Sequence, residues 1–131
     1  MSHFTSVKVE MSNIESLKEA LGAIAGVVEV KTDATVRGYQ GNTMTSQVVA
    51  VMDGKYDIGF DLEGNEVKIT ADWWGLNYSG GTNTTEEQFV NQVKQQYTKV
   101  EASNRLSLEG FTLEESVNEE GTIILTATRW V

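Results

Sequence analysis

The stretch QVVAVMDGKYDIGFDLEGNEVKITADW, Gln47–Trp73, decides the fold. Its apolar residues recur at every second position, which is the period of a pleated strand and not of a helix. Gln47 to Met52 is a run of strand formers, and Asp53-Gly54 follows it as a hairpin signal. Tyr56, Ile58, Phe60 and Leu62 then alternate with Asp57, Gly59 and Asp61. Glu63-Gly64-Asn65 turns the chain, and Val67, Ile69, Ala71 and Trp73 alternate again. Three strands in a row with short turns between them predict an antiparallel meander with one apolar face.

An apolar sheet face must be covered, and the flanking sequence supplies two helical patterns. Upstream, residues 4 to 11 alternate as a strand, with Thr5, Val7, Val9 and Met11 on one face. Ser12-Asn13-Ile14-Glu15 reads as a capping box. Ile14, Leu17, Leu21 and Ile24 follow at helical spacing, predicting a helix over 13–24 that stops at Gly26. Val28 and Val30 suggest one more strand. Lys31 to Ser46 shows no clear period and reads as a long irregular loop. Downstream, Gly75 to Thr84 is rich in Gly, Asn, Ser and Thr and reads as a second loop. Thr84-Thr85-Glu86-Glu87 is another capping box, and Phe89, Val93, Tyr97 and Val100 lie on one helical face behind it. That helix extends to Glu109 with Gly110 as its stop. Phe111–Val117 and Thr122–Trp130 form a closing hairpin around Glu120-Gly121. The predicted order is β-α-β-β-β-β-α-β-β, an α+β fold in one domain over residues 1–131, with two helices on one face of a mainly antiparallel sheet.

Composition narrows the chemistry. The chain of 131 residues holds no cysteine and one histidine, His3. Disulfides, thiolate nucleophiles and multi-histidine or cysteine metal sites are therefore not expected, and neither is a cofactor. The net charge of -9 repels phosphate backbones and anionic lipid, so neither nucleic acid nor membrane is the expected partner. It favours solubility, or a protein partner with a basic face. No signal peptide pattern or apolar span is visible, which points to the cytoplasm, a plastid stroma or, for a viral protein, the host cytoplasm.

Several groups of residues are candidates for a site. Arg37-Gly38-Tyr39-Gln40-Gly41 sets a forked cation, a ring and an amide between glycines, without the spacing of a phosphate-binding loop. It reads as a partner or ligand loop, or as a glycine-bracketed bulge with Arg37 in an ion pair. As a solvated binding loop it would tolerate loss of Arg37 and Tyr39 together at a cost of no more than about 1 kcal/mol. Trp73-Trp74 with Tyr78 heads the second loop; alternation sends Trp73 inward and Trp74 outward, where an exposed Trp can anchor a partner. Asp57 and Asp61 share a strand face, with Asp72 on a neighbouring strand. They read as a solvated acidic row or, less commonly, a hard-cation site. His3 is a lone titratable group near neutral pH and an anchor for the first strand. Arg129 is placed to pair with Asp57 or Asp61, and Trp130 to pack on the sheet.

Five short motifs, in order, carry a resemblance. Ser2-His3-Phe4, Val36-Arg37-Gly38-Tyr39-Gln40-Gly41, Tyr56-Asp57-Ile58-Gly59-Phe60, Phe89-Val90-Asn91-Gln92-Val93 and Arg129-Trp130 together resemble the hypothetical chloroplast open-reading-frame 35 family. That family occurs in red-algal plastids, cyanobacteria and some of their viruses. The resemblance implies a photosynthetic lineage, and it brings no reaction, cofactor or catalytic residue with it. Two functions then compete. One is a non-catalytic interaction, assembly or regulatory module, docking through Arg37, Tyr39, Gln40, Trp74 and Tyr78. The other is a small ligand-binding protein or enzyme with a pocket around Arg37, Tyr39 and His3. Convergence of His3, Arg37 and an aspartate in one concavity would favour the second; an exposed aromatic patch would favour the first.

Overall fold

A computed structural model of the chain describes residues 3–78 and 83–129. The meander is present as β3 (Thr43–Met52), β4 (Asp57–Glu63) and β5 (Glu66–Ala71). β1 (Thr5–Glu10) pairs with β5, and β2 (Val27–Arg37) pairs with β3. The sheet order is β1-β5-β4-β3-β2, antiparallel throughout. Val48, Ala50 and Met52 of β3, Ile58 and Phe60 of β4, and Val67, Ile69 and Ala71 of β5 are buried in one core. Beside β5, the exposed Glu63 carboxyl is held below the ordinary carboxylate range, first by its hydrogen bond to Lys8 and further by Lys68.

Two helices cover that core face. α1 (Ile14–Leu21) buries Leu17 and Leu21. Its cap is Asn13, one residue after the expected Ser12: the Asn13 side chain accepts from the Glu15 and Ser16 amides. The amides of Ser12 and Asn13 instead donate to the Tyr97 hydroxyl, which ties α1 to the long helix. α1 also ends earlier than the predicted 24. Ile24 still reaches the core from the turns that follow, and Gly26 takes a left-handed conformation at φ 91°. The long helix covers Glu86–Leu108 and buries Phe89, Val90, Val93 and Val100. Its capping box joins Thr85 and Gln88, again one residue later than read.

The expected loop Lys31–Ser46 is corrected most. Its residues belong to the two longest strands, β2 and β3, which form one hairpin joined by a 3-10 turn at Tyr39–Gly41. The hairpin bends midway. Asp33 has φ +50°, and the ladder pairs Thr32 with Val48 and Ala34 with Ser46 but leaves Asp33 opposite Gln47 unpaired. Asp61 of β4 holds the bend: its two carboxylate oxygens accept from the Ser46 hydroxyl and the Gln47 amide, both at 3.0 Å, and Leu62 N–H donates to the Gln47 side chain at 2.8 Å. Beyond the bend, the hairpin curls over the second face of the sheet. Val36, fully buried, lies against Gly59, where a Cβ would sit 2.8 Å from Val36 Cγ2 and would overlap the Ser46 hydroxyl. The sheet is thus covered by helices on one face and by its own folded-over hairpin on the other. Gly59→Ala is expected to cost about 2 kcal/mol by overpacking, read as a shift of the urea midpoint at unchanged slope.

The end of β5 is also corrected. Asp72 does not continue the strand: it is 1% exposed, and its carboxylate accepts from the Gly75 amide at 3.0 Å. This caps a short helix, α2 (Trp73–Tyr78), where an extended Trp73 and a loop from Gly75 were expected. Numbered in chain order, the long helix is α3. Residues 79–82 of the expected loop lie outside the described residues. The closing hairpin is present as β6 (Phe111–Val117) and β7 (Ile123–Arg129), forming a separate two-stranded sheet. It packs on α3, with the Lys99–Glu115 ion pair at 2.8 Å across the contact.

Candidate functional site

The starts of β1 and β4, the end of β5 and the tip of the β2–β3 hairpin all lie at one end of the main sheet. Register sets this: Thr5 pairs with Ala71, and Ala71 with Ile58. The folded-over hairpin brings Arg37 to Asp57. The two glycines of the Arg37–Gly41 motif are there for different reasons. Gly38 lets the Phe4 ring approach, since a Cβ would lie 2.5 Å from its Cζ, whereas Gly41 takes φ +81° in the turn. Gln40 shares the left-handed conformation at φ 52°, ψ 41°, uncommon for a residue with a side chain.

Arg37 and Asp57 form a closed pair. Arg37 Nε donates to Asp57 Oδ2 and Nη2 to Oδ1, both at 2.8 Å. The Arg37 amide adds a bond to Oδ2 at 3.0 Å and the Met52 amide one to Oδ1 at 3.3 Å. Nη2 also reaches the Met52 carbonyl. The Asp57 side chain is 3% exposed against 44% for Arg37. The hydrogen bond to Asp57 raises the guanidinium pKa further, against the effect of burial. The fork of the cation is thereby occupied from within the fold, and the buried Asp57 carboxylate is neutralised by it.

Beside Arg37 lies a cavity of about 440 Å³ lined by residues 37–43 together with Lys55 and Tyr56. It brings Arg37, Tyr39 and Gln40 together, as the motif suggested. Tyr39 is half-buried and packs on the core, while Gln40 is exposed. His3 is exposed and does not line the cavity; only its neighbour Phe4 touches the hairpin tip. Tyr56, which the sequence reading used only as a core residue, is the hinge of the site. It is 4% exposed and lines the cavity, and its ring lies so close under Gly75 that a Cβ there would overlap it. α2 is thus seated on the ring that also lines the cavity.

α2 points its two halves as alternation suggested, by a different route. Trp73 packs inward on Phe89, with ring centroids 6.0 Å apart. Trp74 is 49% exposed and Tyr78 72% exposed, their rings 5.8 Å apart. The expected acidic row does not exist as a row: Asp57 serves Arg37, Asp61 the hairpin bend, and Asp72 the cap of α2. Among the described residues no cluster of His, Asp or Glu is placed to hold a metal ion. Arg129 pairs with neither Asp57 nor Asp61; its guanidinium lies 5.0 Å over the Phe111 ring, because β7 belongs to the second sheet. Trp130 lies outside the described residues. Among those described, no helix is long and apolar enough to cross a membrane.

A family model described as "Protein of unknown function (DUF1257)" matches residues 24–126. The chain belongs to this family. Proteins given as "Uncharacterized protein ycf35" in Guillardia theta and in Cyanophora paradoxa are each 32% identical over 133 residues, covering 99% of this chain and 98% of theirs. A third of that description, in Pyropia yezoensis, is 23% identical over 137 residues with the same coverage. The similarity to the hypothetical chloroplast reading-frame proteins therefore runs the length of the chain. The DUF1257 match takes in the hairpin tip, Asp57 and α2, while Phe4 and the start of β1 precede the matched segment. No solved structure matches the chain.

Proposed function

We propose that this protein is a non-catalytic docking module, and that its partner sits on the end of the main sheet where the hairpin tip and α2 meet over Tyr56. The observation that carries this reading is the Trp74–Tyr78 pair, two large exposed rings on a helix whose other side is fixed by Asp72, Trp73 and Gly75. Rigid amphipathic rings bind with little loss of side-chain freedom, which is why Trp and Tyr dominate interface energetics. The hairpin tip supplies Gln40, and the neighbouring cavity a recess that shares Tyr56 with the seat of α2. Lys55 and the free face of Arg37 line that recess, while the chain as a whole is acidic. The pocket reading is weaker for a geometric reason: Arg37 spends its fork on Asp57, and His3 stands outside. The setting assigned to this module is a plastid stroma, in keeping with the algal relatives, or a cyanobacterial cytoplasm.

The test is affinity capture from an extract of an alga that carries the relative. The wild type is compared with Trp74→Ala/Tyr78→Ala and with Gln40→Ala. A captured protein should be lost with the double change, which should cost less than about 1 kcal/mol of stability. A partner retained in full by the folded double variant moves the docking surface elsewhere.

A further inference from the structure

A second surface lies on the far side of α3. β7 pairs with β6 on one side only, so its outer edge has no strand beside it among the described residues. The geometry of the ladder says which groups that edge presents. The Asn118 amide bonds the Thr122 carbonyl, and pairs alternate along an antiparallel ladder. Ser116/Ile124, Glu114/Thr126 and Thr112/Thr128 are therefore the hydrogen-bonded pairs. The amides and carbonyls of Ile123, Leu125 and Ala127 point outward.

Proteins guard such edges with charge, proline or a bulge. β1 carries Lys8 and Glu10. β2 carries Glu29, Lys31 and Asp33 and bends at Asp33, and β6 carries Glu114 and Glu115. β7 carries no charge from Ile123 to Thr128. Beyond its open edge runs a groove of about 610 Å³ between β7 and the outward face of α3. Ala102, Ile123 and Leu125 give it an apolar floor. Gln95 closes one end by donating to the Gly121 carbonyl. None of its ten lining residues is acidic, in a chain with 19 Asp and Glu, and two of them are Lys94 and Lys99. Lys99 is paired with Glu115, whereas Lys94 is exposed and makes no ion pair among the described residues.

We infer that this groove receives an extended segment of another protein, added as a third strand on β7, with apolar side chains over Ile123 and Leu125 and a carboxylate at Lys94. Main-chain bonds along an open edge supply affinity, and side-chain pockets supply selectivity. The occupant is another protein and not a second copy, because a second β7 laid along this edge carries no carboxylate from Ile123 to Thr128 to meet Lys94. This site is distinct from the docking end of the main sheet and stands or falls apart from it.

The probe is a blocked heptapeptide with threonine at even positions, valine and leucine at the central odd positions, and glutamate at both ends. Its control has lysine in place of glutamate. Binding to the full chain is followed by fluorescence anisotropy. The acidic peptide should bind at least tenfold more tightly than the basic one. Lys94→Glu should reverse that preference. Ala127→Pro should abolish binding, since it removes an outward amide while leaving the β6 ladder intact; circular dichroism checks that the fold survives. Equal binding of both peptides, or undiminished binding to a folded Ala127→Pro variant, would overturn the inference. So would a dimer in sedimentation that Ala127→Pro dissolves, because β7 would then be a self-association edge.

Discussion

Arg37→Ala is expected to destabilise the protein by about 3 kcal/mol, because it strands a buried carboxylate without its cation. Asp57 keeps two amide donors, from Arg37 and Met52, but loses both guanidinium bonds. Asp57→Leu should cost as much by leaving those amides and the cation unpaired. The double change Arg37→Ala/Asp57→Leu should cost less than the sum of the two by about 2 kcal/mol, the coupling expected of groups in direct contact. Urea denaturation of the four proteins measures it. Strict additivity would mean that the hairpin is not locked to β4 through this pair. The result also separates the two readings of the Arg37–Gly41 motif, since a solvated binding loop would lose no more than about 1 kcal/mol.

Phe89→Ala should be the most damaging single change, at about 4 kcal/mol, because a buried ring is replaced by a cavity. Phe89 is 1% exposed and touches Phe60 of the sheet and Trp73 of α2, with ring centroids 6.3 and 6.0 Å away. It is the point where α3, the sheet and α2 meet. Loss of the ring should therefore also lower hydrogen-exchange protection of the α2 amides before the sheet opens. Leu108→Ala, on the same helix but 90% exposed, should stay within about 0.5 kcal/mol. Equal effects of the two would mean that α3 does not anchor the core as described.

The meander and both main helices were legible because their patterns are strong: period-two alternation over Tyr56–Leu62, and helical spacing over Phe89–Val100. Both caps were misplaced by one residue, because Ser12 and Asn13, like Thr84 and Thr85, are neighbouring residues of equal capping chemistry. Only the helix entry angle decides between them. The β2–β3 hairpin was missed for a different reason. Past the bend it crosses a sheet face made of Gly59, Asp57 and Asp61, so its inward residues are Val36, Ser46 and Arg37 and not a run of apolar side chains. The thread of Thr32, Thr35, Thr43 and Thr45 was the available signal, since threonine favours strands. At the site, Asp72 before Trp73 is a cap signal, masked in the sequence because the alternation of Val67, Ile69 and Ala71 runs on through Trp73. Tyr56 had no sequence signal for its second role, because its contact with Gly75 comes from tertiary packing alone.

The docking surface is tested most directly by placing a photo-crosslinking phenylalanine analogue at position 78 in living cells of an alga or cyanobacterium, with position 108 as the comparison. Both side chains are largely exposed, 72% and 90%, so accessibility alone does not distinguish them. The account predicts a discrete crosslinked complex from position 78, lost when Trp74→Ala is added, and none from position 108. The same crosslinks from both positions, or none from position 78, would contradict it.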